Sequence, residues 1–150
     1  MTETADRETT APVVRTVHVR CAPDRAFDLF TDRIADWWPL QRHGLFEAET
    51  AGVWFEGDRV VERSTSGEEG VWAEVLDWSP PSKLSMSWHP GTPPEDATVV
   101  EVEFFADDDG TRVVLTHHGW ERLGERAAEA RGSYAQGWLS VLEGYATLSA

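Results

Sequence analysis

Two histidines stand side by side in "RVVLTHHGWE", Arg112 to Glu121. Adjacent imidazoles can chelate a metal ion or hand a proton along. Strand alternation decides against both here. Read as a strand, the segment puts Val113, Leu115 and His117 on one face and Val114, Thr116 and His118 on the other. Neighbours facing opposite ways cannot hold one ion or share one proton, so each ring must be judged alone. His43 in "WWPLQRHG" and His89 in "SWHPG" sit in loops or at strand ends. No pair among His43, His89 and His117 has a ligand spacing such as HxxxH, and no metal is expected. Cys21 is the only cysteine, which excludes an internal disulfide and a CxxC zinc site. "DDDG", Asp107 to Gly110, lacks the further spaced ligands of a calcium loop and reads as a hairpin turn.

Other chemistry-bearing positions are aromatic or acidic. Glu62 and Arg63 fall in "GDRVVERS", and one of them should face inward, where an unpaired charge is expensive. Eight tryptophans are many for 150 residues, and each ring carries a large apolar area that favours burial. Trp88 alternates with Leu84 and Met86, which marks all three as inward-facing. Trp138 lies on the apolar stripe of a terminal helix, with Tyr134 one turn before it. Trp37 and Trp38 are neighbours on a short helix, one expected buried and the other partly exposed. The facing of Trp72 and Trp78 on their strand depends on whether a bulge intervenes. Such rings either fill a core or wall a pocket; a wall with few polar groups describes most small-ligand sites.

These residues need elements to hold them. "VVRTVHVR", Val13 to Arg20, alternates as a strand, and with Val13 facing out, Val17 and Val19 take the face opposite Val14, Thr16, His18 and Arg20. "CAPDRAFDLFTD" follows as a short helix with Pro23 in its first turn and an apolar face of Ala26, Phe27 and Phe30. "RIADWWP" adds one or two turns, stopped by Pro39. From Leu45 onward, "LFEAET", "VWFE", "RVVERS", "VWAEVLDW", "KLSMSWH", "TVVEVEFFA" and "RVVLTHH" read as strands. Between them stand short Gly-, Pro- and Asp-bearing turns such as "AG" and "SPPS", so neighbours run antiparallel. Leu123, Ala127, Ala130, Tyr134, Trp138, Val141, Leu142 and Tyr145 form a stripe along a helix from about Leu123 to about Leu148. Gly137 between two aromatics suggests a close approach of helix to sheet. The fold class is α+β: a curved antiparallel sheet of six or seven strands wrapped around a long C-terminal helix, with two short helices after the first strand.

Composition bounds the rest. The chain has 13 basic against 27 acidic side chains, a formal net charge of -14. That surface repels phosphate backbones and anionic lipid heads, so nucleic-acid and membrane roles are disfavoured. The sequence has no transmembrane run and no apolar signal core, and a cytoplasmic protein is the simplest expectation. Residues 1–12 read as a polar tail and 13–150 as one domain.

The order of elements resembles the START-like, helix-grip superfamily that includes the birch-pollen allergen and polyketide cyclases. Within it the chain is similar to the family named after the activator of heat-shock protein 90 ATPase. "APDRAFDLFTD", "WWPL", "GDRVVE", "VLDWSPPSKLSMSW", "LTHHGW" and the "GW" of Gly137 and Trp138 carry the likeness, in that order, from about Val13 to Leu148. The resemblance implies a hydrophobic cavity between sheet and helix, with Trp37 and Trp38 over its mouth. It turns His117 inward and His118 outward, and favours Glu62 as the inward acid, in an ion pair or against a ligand. His117 is then either a hydrogen-bonded ring closing the sheet on the helix, or a ligand anchor or acid-base group.

The expected function is binding of an apolar or aromatic small molecule, without cofactor, by Trp37, Trp38, Glu62, Met86, Trp88, His117, Tyr134 and Trp138. An alternative is a polyketide cyclase or hydrolase-like enzyme using His117. Another is a protein-interaction module with a chaperone partner. A homodimer is compatible with the sequence, which does not define one.

Overall fold

A computed structural model of the protein describes residues 10–39, 45–46 and 49–149. Strand β1 is Val13–Val19, followed by helix α1, Pro23–Thr31, and the single turn α2, Ile34–Trp37. Six strands come next: β2 Thr50–Glu56, β3 Arg59–Ser64, β4 Glu69–Ser79, β5 Lys83–Trp88, β6 Thr98–Asp107 and β7 Gly110–His118. A 3-10 stretch, Trp120–Arg126, leads into the 23-residue helix α3, Ala127–Ser149. The strands form one antiparallel sheet in the order β1-β7-β6-β5-β4-β3-β2. It curls around α3, which lies against β1. This is the helix-grip architecture the sequence implies.

Four local expectations are corrected. Leu45, Phe46 and Glu49 of "LFEAET" lie outside any strand, residues 47–48 being outside the described residues: β2 starts at Thr50 and runs through Ala51 and Gly52, with a register shift there, instead of turning at "AG". In β1, Val13 is buried and Val14 exposed, so the inward face holds Val13, Arg15, Val17 and Val19. Arg15 reaches Ala135 O of α3 at 2.8 Å, which reconciles a cation with that face. The terminal helix begins at Ala127 and not near Leu123, because Gly124 adopts a positive φ of 59° and breaks the turn. Trp37 and Trp38 are both buried, since α3 and the sheet close over them from two sides.

The grip on α3 comes from the short helices as well as from β1. Tyr145 donates from its hydroxyl to Ala26 O at 2.6 Å, and Trp37 Nε1 donates to Leu29 O at 2.7 Å. The approach is closest at Gly144, where a Cβ would come within 2.7 Å of the Trp37 carbonyl oxygen. Gly132, on the same helix, has nothing within 4 Å of its would-be Cβ. Helix propensity favours Ala over Gly at both positions by about 1 kcal/mol. The backbone collision reverses the sign at one of them. In urea denaturation, Gly132→Ala is expected to stabilise the protein by about 1 kcal/mol and Gly144→Ala to destabilise it by about 1–3 kcal/mol.

Candidate functional site

The site is built from indoles, and bulges in β4 decide which rings reach it. Val61 faces Val71 and Val60 faces Ala73, leaving Trp72 as an extra residue. Val75 faces Met86 and Asp77 faces Ser85, leaving Leu76 extra. A one-residue bulge inverts the alternation beyond it, so the first brings Trp72 and Ala73 inward together, both buried. The second restores the facing, and Trp78 pairs with inward Leu84. Trp72 and Trp78 therefore share the concave face at opposite ends. Trp78 packs edge-on against Phe27 and remains 48% exposed.

Trp72 joins Trp38, Trp88 and Trp138 in a cluster whose ring centroids lie 4.8 to 6.0 Å apart. The cluster does not close on itself. Between it and α3 lies a cavity of about 220 Å³ lined by these four indoles, Tyr134, Pro90, Ser133, Gly137 and Val141. A second cavity of about 310 Å³ adjoins it and shares Trp88, Pro90, Ser133 and Tyr134. Unlike the first, its lining includes charged side chains, Asp96, Arg126 and Glu129, together with His89 and Thr98. Arg126 and Asp96 form an ion pair there at 3.3 Å.

Of the eight residues marked from the sequence, Trp38, Trp88, Tyr134 and Trp138 meet at the first cavity. Trp37, Glu62, Met86 and His117 stand behind its wall and do not line either cavity. Glu62 does face inward, fully buried, but its partners are neither a cation nor open space. It accepts from Trp72 Nε1 at 2.9 Å, from Leu45 N at 2.7 Å and from Phe46 N at 3.2 Å. One carboxylate thus sets the tilt of a wall indole and pins residues 45–46. Arg63 takes the outer face, paired with Glu56 and Glu69 and lying over Trp54.

His117 points inward and His118 outward, toward Glu101 at 3.7 Å. The His117 ring is fully buried and both nitrogens are engaged. Trp138 Nε1 lies 3.0 Å from Nδ1. An indole N–H can only donate, so Nδ1 accepts and the proton of the neutral ring sits on Nε2. Nε2 then donates to Thr98 Oγ1 at 2.6 Å, and Thr98 in turn donates to Trp88 O at 3.4 Å. Trp120 Nε1 donates to the His117 carbonyl at 3.1 Å. This relay ties α3 to β7, β6 and β5. Burial, assisted by the neighbouring His118, pushes the His117 pKa down to about 3. A neutral ring with no free nitrogen is a structural tie. Thr98 was not legible as its partner, because it lies 19 residues away on the adjacent strand.

His89 is also occupied. Its Nδ1 donates to Thr92 O at 3.1 Å, and its Nε2 meets Glu74 Oε2 at 2.6 Å. Burial pushes the Glu74 carboxyl up, but hydrogen bonds from His89 and Ser87 outweigh it and hold it below the usual carboxylate range. His43 lies outside the described residues. Among the described residues no group of three His, Cys, Asp or Glu side chains is placed to hold a metal ion. No helix among them is long and apolar enough to cross a membrane.

One polar atom of the wall is left over. Trp88 is 3% exposed, and its Nε1 is buried without a hydrogen-bond partner. Burial pushes the Tyr134 hydroxyl up, and a hydrogen-bonding approach of the Trp88 N–H to its oxygen partly offsets that shift. The two polar groups are therefore neighbours, although they do not meet in hydrogen-bond geometry.

The neutral burial of His117 has a measurable sign. Its folded pKa of about 3 lies below the unfolded value of about 6.5, so as pH falls the unfolded chain takes up the proton first. The ring's contribution is complete above about pH 6.5 and shrinks below it, by at most about 1.4 kcal/mol per pH unit. His117→Gln keeps an acceptor and a donor but cannot titrate. The stability gap between wild type and this variant, followed by urea denaturation from about pH 7.5 to 5, should narrow with acidification; a constant gap would show a ring that is not buried neutral.

Comparison with solved structures finds the same fold widely. An anthrahydroquino-gamma-pyrone synthase, Txn09, is 32% identical, with 93% of this chain covering 97% of that one at a TM-score of 0.62. MLL2253 from Mesorhizobium loti is 20% identical over 91% and 95% of the two chains, with a TM-score of 0.59. CalU16 from Micromonospora echinospora is 18% identical over 91% and 73%, with a TM-score of 0.58. Comparison with curated proteins finds no match. The model of one family, described as activator of Hsp90 ATPase homolog 1-like protein, matches residues 20–148. The chain belongs to that family.

Proposed function

We propose that the protein binds a flat, largely apolar aromatic molecule in the cavity walled by Trp38, Trp72, Trp88, Tyr134 and Trp138. The observation that carries this reading is the aromatic wall itself, four indoles and a phenol around about 220 Å³. A core built only for stability would bring such rings into contact throughout. Rigid rings arranged around open space instead suit the faces of another ring. The adjoining cavity, with Asp96, Arg126 and Glu129 in its lining, gives a longer ligand somewhere to place a substituted end.

Ser133 lies on the exposed side of α3 and borders both cavities. Ser133→Trp should obstruct entry at little cost in stability. In tryptophan-fluorescence titrations against naphthalene- and anthraquinone-type compounds, wild type is expected to quench or shift saturably. The variant should bind at least about tenfold more weakly, about 1.4 kcal/mol. No response to any aromatic class sinks the reading.

A second reading, ring closure of an aromatic polyketide-like chain, is favoured by the 32% identity with a pyrone synthase over nearly both whole chains. Holding a reactive chain folded and dry is work this cavity suits. Both nitrogens of His117 are hydrogen-bonded inside the wall, which argues against it as the acid-base group. A direct assay is conversion of an ortho-hydroxyaryl 1,3-diketone to a chromone: the phenol oxygen attacks the distal ketone and one water leaves. Acceleration over buffer, slowed by Tyr134→Phe and retained by folded His117→Gln, is expected; a rate equal to buffer removes this second reading.

A further inference from the structure

The wall of the aromatic cavity contains an unsatisfied donor, and its chemistry narrows the ligand class. The inference rests on the cavity being a ligand site, as proposed above. A buried indole N–H left without an acceptor costs about 1–3 kcal/mol. Trp37, Trp72, Trp120 and Trp138, all buried, each donate to an acceptor within 3.1 Å. Trp88, equally buried, does not, and it borders both cavities together with Tyr134.

We infer that Trp88 Nε1 and Tyr134 Oη form a two-donor seat for a carbonyl oxygen on a flat, uncharged ring ligand, such as an aryl ketone, quinone or pyrone. The donor types select this class. Trp88 can only donate, so a ligand N–H or ammonium leaves it unmet. The Tyr134 hydroxyl can turn to donate as well, and an sp² oxygen has two lone pairs in one plane to receive both. A carboxylate would offer the same lone pairs, but no lysine or arginine is among the described residues lining the first cavity. Burying an anion there without a cation is costly. Arg126, in the second cavity, is already paired with Asp96. Two donors on one oxygen also draw electron density from the carbonyl carbon, which a ring-closing step on that carbon would use.

The test is a matched pair of probes. 1-Tetralone and tetralin share a bicyclic skeleton and differ in one carbonyl group. Titration calorimetry on the full chain compares both probes on wild type, Tyr134→Phe and Trp88→Phe. On wild type, tetralone should bind about tenfold more tightly than tetralin. Tyr134→Phe should remove most of that preference, read as the ratio of the two affinities, and it keeps the test open if Trp88→Phe does not fold. Equal affinities on wild type, or a preference unchanged in Tyr134→Phe, overturn the carbonyl seat while the aromatic cavity stands. Binding of neither probe brings down the cavity reading and the seat with it.

Discussion

Burying indoles inside a small domain imposes a condition on everything around them: each ring brings an N–H that must find an acceptor or bear the cost. In this protein that condition explains two titratable residues of the interior, Glu62 and His117. Glu62 is deep in the sheet because Trp72 and two backbone N–H groups need its oxygens. His117 is deep in the sheet because Trp138 needs Nδ1. The Leu29 carbonyl lies in the last turn of α1, where the N–H four residues on, that of Arg33, turns to Asp28 O instead, and it serves Trp37. Core and site are therefore one network, and the cavity has its shape because the acceptors fix the tilt of its walls.

That network also separates what looks catalytic from what is available for chemistry. A buried histidine between two aromatics, within one family with an enzyme-like neighbour, invites an acid-base role. Its hydrogen bonds decide otherwise. Using His117 as a base would require breaking its bond to Trp138 or Thr98 and placing a charge where burial already holds the pKa near 3. Tyr134 is in the opposite situation: it reaches the cavity, and its hydroxyl is not consumed by the relay. Within this site, availability counts for more than residue type.

Much of this was legible in the sequence, and the boundary between what was and was not is physical. Period-two alternation gave the facing of His117 against His118 and of Leu84, Met86 and Trp88, because each lies in an unbulged stretch. It could not place Trp72 and Trp78, since the two bulges of β4 leave no mark in composition. The helix stripe located Tyr134 and Trp138 correctly, yet the helix start was misjudged because Leu123 keeps the spacing while Gly124 breaks the backbone. Glu62 was recognised as inward, but its partners are backbone N–H groups of residues 45–46, and any residue type supplies those. The sequence marks Trp88 for the pocket as an apolar wall; its unmet donor appears only in the structure, beside Trp37, Trp72, Trp120 and Trp138, whose N–H groups each have an acceptor.

Charge completes the selection. The chain carries a formal net charge of -14, and its field at long range disfavours approach of anions. Among the described residues the first cavity offers no cation to reward one that arrives, so the outer surface and the inner wall discriminate in the same direction. The ligand proposed above, neutral, flat and oxygen-bearing, is the one that meets surface, wall and donor together. Each of those three features rests on a different part of the chain: the acidic exterior, the indoles set by Glu62 and His117, and the buried N–H of Trp88.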